Sequence, residues 1–138
     1  MKPSLEPGLE STRRITVDAA RTIGFMGEEG RVYSTPDLLR DIEMVCRDLL
    51  LEHAEAGEDS VGTYVELRHL AATPLGLEVE LTARVASVEG RQVRFEISAR
   101  DATETICTAL HDRFVVDTEK TLQRLKVKRA AAAAAPAG

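Results

Sequence analysis

Hydrophobic residues recur with two different periods along this chain, and the change of period marks its parts. Between Leu38 and Leu50 the period is helical. Leu38, Leu39, Ile42, Val45, Cys46, Leu49 and Leu50 fall on one broad stripe at 100° per residue, while Arg40, Asp41, Arg47, Asp48 and Glu52 lie off its centre. A stripe this wide belongs to a helix pressed against a sheet, predicted over Asp37–His53. Ser34-Thr35-Pro36-Asp37 supplies its start: Thr35 suits the N-cap, Pro36 the first helical position, and Asp37 and Asp41 the positive end of the dipole.

From Ser60 onward the period is two. Val61, Thr63, Val65, Leu67 and His69 share the more apolar face of a strand, and Gly62, Tyr64, Glu66 and Arg68 share the other. Leu77–Val85 alternates next, with Leu77, Val79, Leu81, Ala83 and Val85 inward. Its parity slips at Ala86-Ser87, where a bulge is expected, and Glu89-Gly90 makes a hairpin turn. Gln92–Arg100 places Val93, Phe95, Ile97 and Ala99 inward, and Asp101-Ala102-Thr103 leads into a long strand, Glu104–Val116. Upstream, Thr12–Val17 reads as a strand and Val32-Tyr33 as a short one. The expected order is strand, flap, long helix, then four consecutive antiparallel strands in a meander. The flap is Asp18–Gly30, where Phe25 and Met26 stand among Gly24, Gly27 and Gly30. It reads either as a cover over something apolar or as an ordinary surface loop. A final helix is expected over 118–129, with Leu122 and Leu125 as a thin seam, and 130–138 as an Ala-rich disordered tail. The whole is one domain over residues 1–129, large enough for its own core.

Composition narrows the partners. Net charge is −5, aromatic residues are 4% and tryptophan is absent, which argues against a nucleic-acid or membrane surface as main partner and leaves no aromatic platform for bases. No apolar run approaches a membrane span. Cys46 and Cys107 are far apart, without metal-ligand spacing or a signal peptide, and read as reduced packing residues of a cytoplasmic protein. No metal site and no cofactor are expected. The charge is uneven: Lys120, Arg124, Lys126, Lys128 and Arg129 against Glu119 put +4 on the last helix, leaving −9 on the remainder. That helix is either simply solvated or a grip on phosphates.

Three polar residues stand out from this pattern. Glu43 falls between Leu39 and Leu50, on the edge of the apolar stripe, where a carboxylate is partly desolvated. It is either a boundary residue or a base. His69 ends the apolar row of its strand, as a core histidine or a proton carrier. Thr35 is a cap whose hydroxyl also stands in the positive field of a helix start.

One long helix followed by an antiparallel sheet that wraps it is the hot-dog layout, an α+β fold. Tyr33-Ser34-Thr35, Ile42-Glu43-Met44-Val45-Cys46 and Gly62-Thr63-Tyr64-Val65-Glu66-Leu67-Arg68-His69-Leu70-Ala71-Ala72-Thr73-Pro74 carry a closer likeness, with Ser87-Val88-Glu89-Gly90-Arg91 and His111-Asp112-Arg113. Over roughly Thr12–Lys128 the chain resembles the fluoroacetyl-CoA thioesterase-like family of small bacterial hot-dog thioesterases. The resemblance implies hydrolysis of a small acyl-CoA by Thr35, Glu43 and His69, with Gly62 and Arg113 lining the site and Phe25 and Met26 over it. The flap departs from the phenylalanine-rich lid expected of the fluoroacetyl-specific member, since Phe25 has only Met26 beside it. The resemblance also implies a homodimer or dimer of dimers, with Thr35 and Glu43 expected from one chain and His69 from the other. The alternative function is a non-catalytic acyl-CoA-binding sensor. A hydratase would call for an aspartate–histidine pair at the helix start, which this sequence lacks.

Overall fold

In the computed structural model, which describes residues 1–136, the long helix α1 spans Thr35–Leu51 and buries Leu38, Ile42, Val45, Cys46, Leu49 and Leu50. Both ends lie two residues earlier than the expected Asp37 and His53, and the N-cap lies one residue earlier than the expected Thr35. Ser34 is the N-cap: its hydroxyl accepts the Asp37 N–H at 3.2 Å and donates to the Asp37 carboxylate. Thr35 and Pro36 are therefore the first two helical residues. Serine and threonine both serve as N-caps, with serine the better, and Pro36 after Thr35 drew the expectation to the later one. The consequence is chemical, because the Thr35 hydroxyl is released from capping.

Seven strands accompany the helix: β1 (Glu10–Thr16), β2 (Thr22–Ile23), β3 (Val32–Tyr33), β4 (Glu58–His69), β5 (Glu78–Glu89), β6 (Gln92–Arg100) and β7 (Thr105–Asp117). Five form an antiparallel sheet in the order β1-β5-β6-β7-β4 around α1, and β2, in the flap, pairs with β3 just after it in a small ribbon. The expected four-strand meander holds only for β5-β6-β7. β1 occupies the free edge of β5, so β4 takes the far edge beside β7. Alternation along a strand reports its faces and not its neighbours, which is why the order was not legible.

The bulge expected near Ala86 is present between Val85 and Ser87. A second, unexpected one lies in β4, where Gly62 pairs with Arg113 but Tyr64 pairs with Asp112, leaving Thr63 over. An extra residue reverses the faces of everything before it. Gly62 therefore does not lie with Tyr64, Glu66 and Arg68. It shares the inner face with Val65, Leu67 and His69, opposite Arg113, His111, Ala109 and Cys107.

α2 runs from Thr118 to Ala134, past the expected end at Arg129, and buries none of its side chains. Alanine has the highest helix propensity, so Ala130–Ala134 extend the helix where a disordered tail was expected. Of that tail, residues 137 and 138 lie outside the described residues. Among the described residues no helix is long and apolar enough to cross a membrane. Cys46 and Cys107 are free and buried, with burial pushing their thiols up to about 12 and about 11.

Candidate active site

Two polar clusters sit on the helix-facing side of β4. The first joins the start of α1 to the end of β4. The released Thr35 Oγ1 lies 2.8 Å from His69 Nδ1. The other ring nitrogen, Nε2, is buried and has no hydrogen-bond partner among the described residues. Burial pushes the His69 pKa below the ordinary histidine value, so the ring is neutral near pH 7. Beside this pair opens a groove of about 500 Å³, lined by Ile23, Phe25, Val32, Leu70 and other residues of the flap and the 69–72 turn. Phe25 thus borders the groove, though 88% exposed. Met26 does not border it. Its side chain lies against Gly30, on the exposed tip of the flap. The flap is held to α1 by Tyr33, whose hydroxyl donates to Asp41, and by Arg21, whose guanidinium grips the same carboxylate at 2.8 Å.

The second cluster gathers Glu43, Gly62, His111 and Arg113. A Cβ on Gly62 would stand 2.8 Å from Glu43 Oε1, 3.1 Å from His111 Cε1 and 3.6 Å from an Arg113 terminal nitrogen. Glycine here is what lets the carboxylate lie against the strand backbone. Arg113 is buried, and its guanidinium donates to Ser60 Oγ at 2.7 Å, to the Ser60 carbonyl at 2.9 Å and to His111 Nε2 at 3.1 Å. A guanidinium can only donate, so Nε2 is the bare nitrogen of His111. Its Nδ1–H then donates to the Tyr64 carbonyl at 2.8 Å, just past the Thr63 bulge. The tautomer of His111 is fixed from both sides. Burial is the main cause lowering the pKa of both His111 and Arg113, while the Glu43 charge acts on Arg113 in the opposite sense.

The structure thus joins Thr35 with His69, and Glu43 with Gly62 and Arg113. The two pairs are separate within one chain, because the eight residues from Thr35 to Glu43 span about 12 Å of helix. The expected division, Thr35 and Glu43 from one chain and His69 from another, does not hold: Thr35 and His69 meet within a single chain. His111 joins the second cluster without having been singled out as a candidate in the sequence. Its signal was parity, since it lies two residues from Arg113 on the same strand face. Among the described residues no group of three or more His, Cys, Asp or Glu is placed to hold a metal ion.

The sequence profile of the fluoroacetyl-CoA-specific thioesterase family matches residues 17–119. A fluoroacetyl-CoA thioesterase of Streptantibioticus cattleyicolor is 31% identical over 135 residues, covering 93% of this chain and 97% of that one. Among solved structures, a mutant of the fluoroacetyl-CoA-specific thioesterase FlK superposes with a TM-score of 0.83 at 30% identity, over 92% of this chain and 99% of that one. A hot-dog-like protein from Thermanaerovibrio acidaminovorans reaches the same TM-score at 27% identity, over 92% and 93%.

Proposed function

Because the chain belongs to the fluoroacetyl-CoA-specific thioesterase family and is a thioester hydrolase, we propose that it hydrolyses a small acyl-CoA at a site built from Thr35, His69 and Glu43, as a homodimer or dimer of dimers in the cytoplasm. The observation that carries this reading is the Thr35–His69 contact at the mouth of an apolar groove. Such a groove takes an acyl group, and the contact stands where its carbonyl would lie.

Thr35 and His69 suit one division of roles. The buried Nε2 has no partner among the described residues in either tautomer. In this reading the ring carries its proton on Nδ1 and donates it to Thr35 Oγ1. The Thr35 hydroxyl is then free to donate its own proton into the groove, to the oxygen of a thioester carbonyl. One such donor to a developing oxyanion is worth about 3–4 kcal/mol. Thr35 so placed holds the carbonyl, and Glu43 attacks it or activates the water that does. The leaving thiol resembles cysteine, with a pKa of about 8.5, and needs little acid assistance.

A second copy completes the site. β4 is a 12-residue edge strand with Val61, Tyr64 and Val65 exposed, and such an edge invites pairing. Antiparallel pairing of two β4 strands carries the partner's Glu43 toward the Thr35–His69 pair, which its own Glu43 does not reach. Phe25 covers the acyl end, and Gly62 and Arg113 border the carboxylate. The acyl group, with Phe25 as the lone aromatic of the flap, need not be fluoroacetyl.

Thiol release from a panel of short, branched and aryl acyl-CoAs tests the activity, and release from none of them would overturn it. Complementation tests the assembly. Thr35→Ala and Glu43→Gln chains, each inactive alone, regain one working site per mixed dimer. Mixed dimers with no activity, or an active monomer in light scattering, would overturn the shared site.

A further inference from the structure

α2 is attached to the body by one end only. Thr118 donates its backbone N–H to the Gly57 carbonyl at 2.8 Å, and the preceding Asp117 pairs with Glu58 at the start of β4. Beyond that root none of its side chains is buried. Lys120, Arg124 and Lys128 recur every four residues and so form one stripe. None of the three is ion-paired among the described residues. Like charges at this spacing repel, so the stripe does not serve the stability of the helix itself. A groove of about 590 Å³ follows its first turn, bordered by Asp117, Glu119, Lys120, Gln123 and Arg124. Asp117 is already engaged there, capping α2 through the Lys120 N–H at 3.0 Å. The +4 of this helix stands apart from the −9 of the remainder, so its cations are open to an anion from outside. An acyl-CoA brings several, all on its coenzyme half.

Within one chain the stripe is remote from the groove at Thr35 and His69. The root of α2 lies at Gly57, before β4 begins, and His69 ends that strand, roughly 40 Å away at 3.3 Å per residue. Self-pairing of β4 removes this distance. Antiparallel pairing about the midpoint, between Thr63 and Tyr64, sets His69 of one copy against the partner's Glu58. The exposed Val61, Tyr64 and Val65 flank that midpoint. The root of the partner's α2 then lies at the His69 end of β4, beside the groove. The phosphates of a coenzyme A lie at the far end of its pantetheine arm from the thioester, so cations outside the groove are where they can be met.

We propose that Lys120, Arg124 and Lys128 of one copy bind the phosphates of the coenzyme A whose thioester lies at the Thr35–His69 pair of the other copy. The proposal rests on the acyl-CoA reading and on the β4 dimer. Its first test needs no turnover. Calorimetric binding of coenzyme A is compared with that of pantetheine, which lacks the nucleotide phosphates, for wild type and for Lys120→Gln/Arg124→Gln/Lys128→Gln. The triple variant should bind coenzyme A about tenfold more weakly at low ionic strength and pantetheine unchanged. The wild type should lose its advantage as salt rises. Unchanged coenzyme A binding, or equal weakening of both ligands, would overturn the phosphate contact. The second test is a mixed dimer of a Thr35→Ala chain with intact α2 and a Thr35-bearing chain with the triple change. Wild-type KM at its single working site shows the contact in trans. A raised KM would place it within one chain and overturn the proposal. A wild type that binds coenzyme A but hydrolyses no acyl-CoA would defeat the enzymatic reading while the binding comparison stayed decisive.

Discussion

Gly62→Ala is the most local perturbation of the Glu43 cluster. The backbone tolerates it, because Gly62 lies in β4 and is not one of the chain's positive-φ glycines. The cost comes from what the new methyl meets: Glu43 Oε1 at 2.8 Å and His111 Cε1 at 3.1 Å. Ordinary contact lies near 3.5 Å, so the carboxylate must retreat by about 0.7 Å. The His111 ring cannot follow, being held at Nδ1 by the Tyr64 carbonyl and at Nε2 by Arg113. Overpacking of this kind costs about 1–3 kcal/mol, offset by about 0.4–1 kcal/mol from the stiffer unfolded chain. The melting temperature should fall by a few degrees, roughly in line with a net loss of about 1 kcal/mol. Turnover should fall much further, by about ten- to a hundredfold, because a misplacement approaching 1 Å at a reacting group costs on that scale. Thiol release on the best acyl-CoA and a thermal melt on the same preparation measure both. Introduced into Glu43→Gln, the same change should add little, since residues acting as a unit are non-additive. A Gly62→Ala protein with near wild-type kcat would refute a chemical role for the carboxylate at that spot. A global loss of folding would show instead that Gly62 serves packing.

Three further outcomes follow from the same geometry. Glu43→Gln keeps the shape but removes the charge, and should lower kcat by about a hundredfold or more with stability changed by less than about 1 kcal/mol; a stability loss without a kinetic one would make Glu43 a boundary residue. Arg113→Met fills the space but strands Ser60 Oγ, the Ser60 carbonyl and His111 Nε2 without donors, so urea denaturation should register a loss of about 2–4 kcal/mol. Burial lowers the pKa of His69 and His111 in the fold, so the unfolded chain binds more protons just below the ordinary value of about 6.5. Their contribution to stability is full above that pH and falls as pH drops toward the folded values. Melts at pH 7 and pH 5 should show the decline, and His111→Gln should flatten it.

Much of the architecture was legible because burial imposes a period. The stripe Leu38–Leu50 located α1, strict alternation located β5 and β6, and the broken parity at Ala86-Ser87 located a bulge. These are local consequences of one face meeting a core, so a single strand or helix carries them whole. Thr35, Glu43 and His69 stand out in the sequence by their places at a helix start, a stripe edge and a strand end, while their roles come only from the family resemblance. Tertiary structure decided everything that depends on which elements meet. Parity cannot say that β4 crosses to the edge beside β7, because either edge offers the same hydrogen bonds. The Thr63 bulge is invisible in a row that already alternates, yet it turns Gly62 under Glu43. Ser34 and Thr35 are both cap residues by type, and only the fold shows that Ser34 caps while the Thr35 hydroxyl meets His69. The burial of Arg113 is decided only when Ser60 and His111 are brought around it, for only a folded chain supplies the acceptors that let a guanidinium be buried.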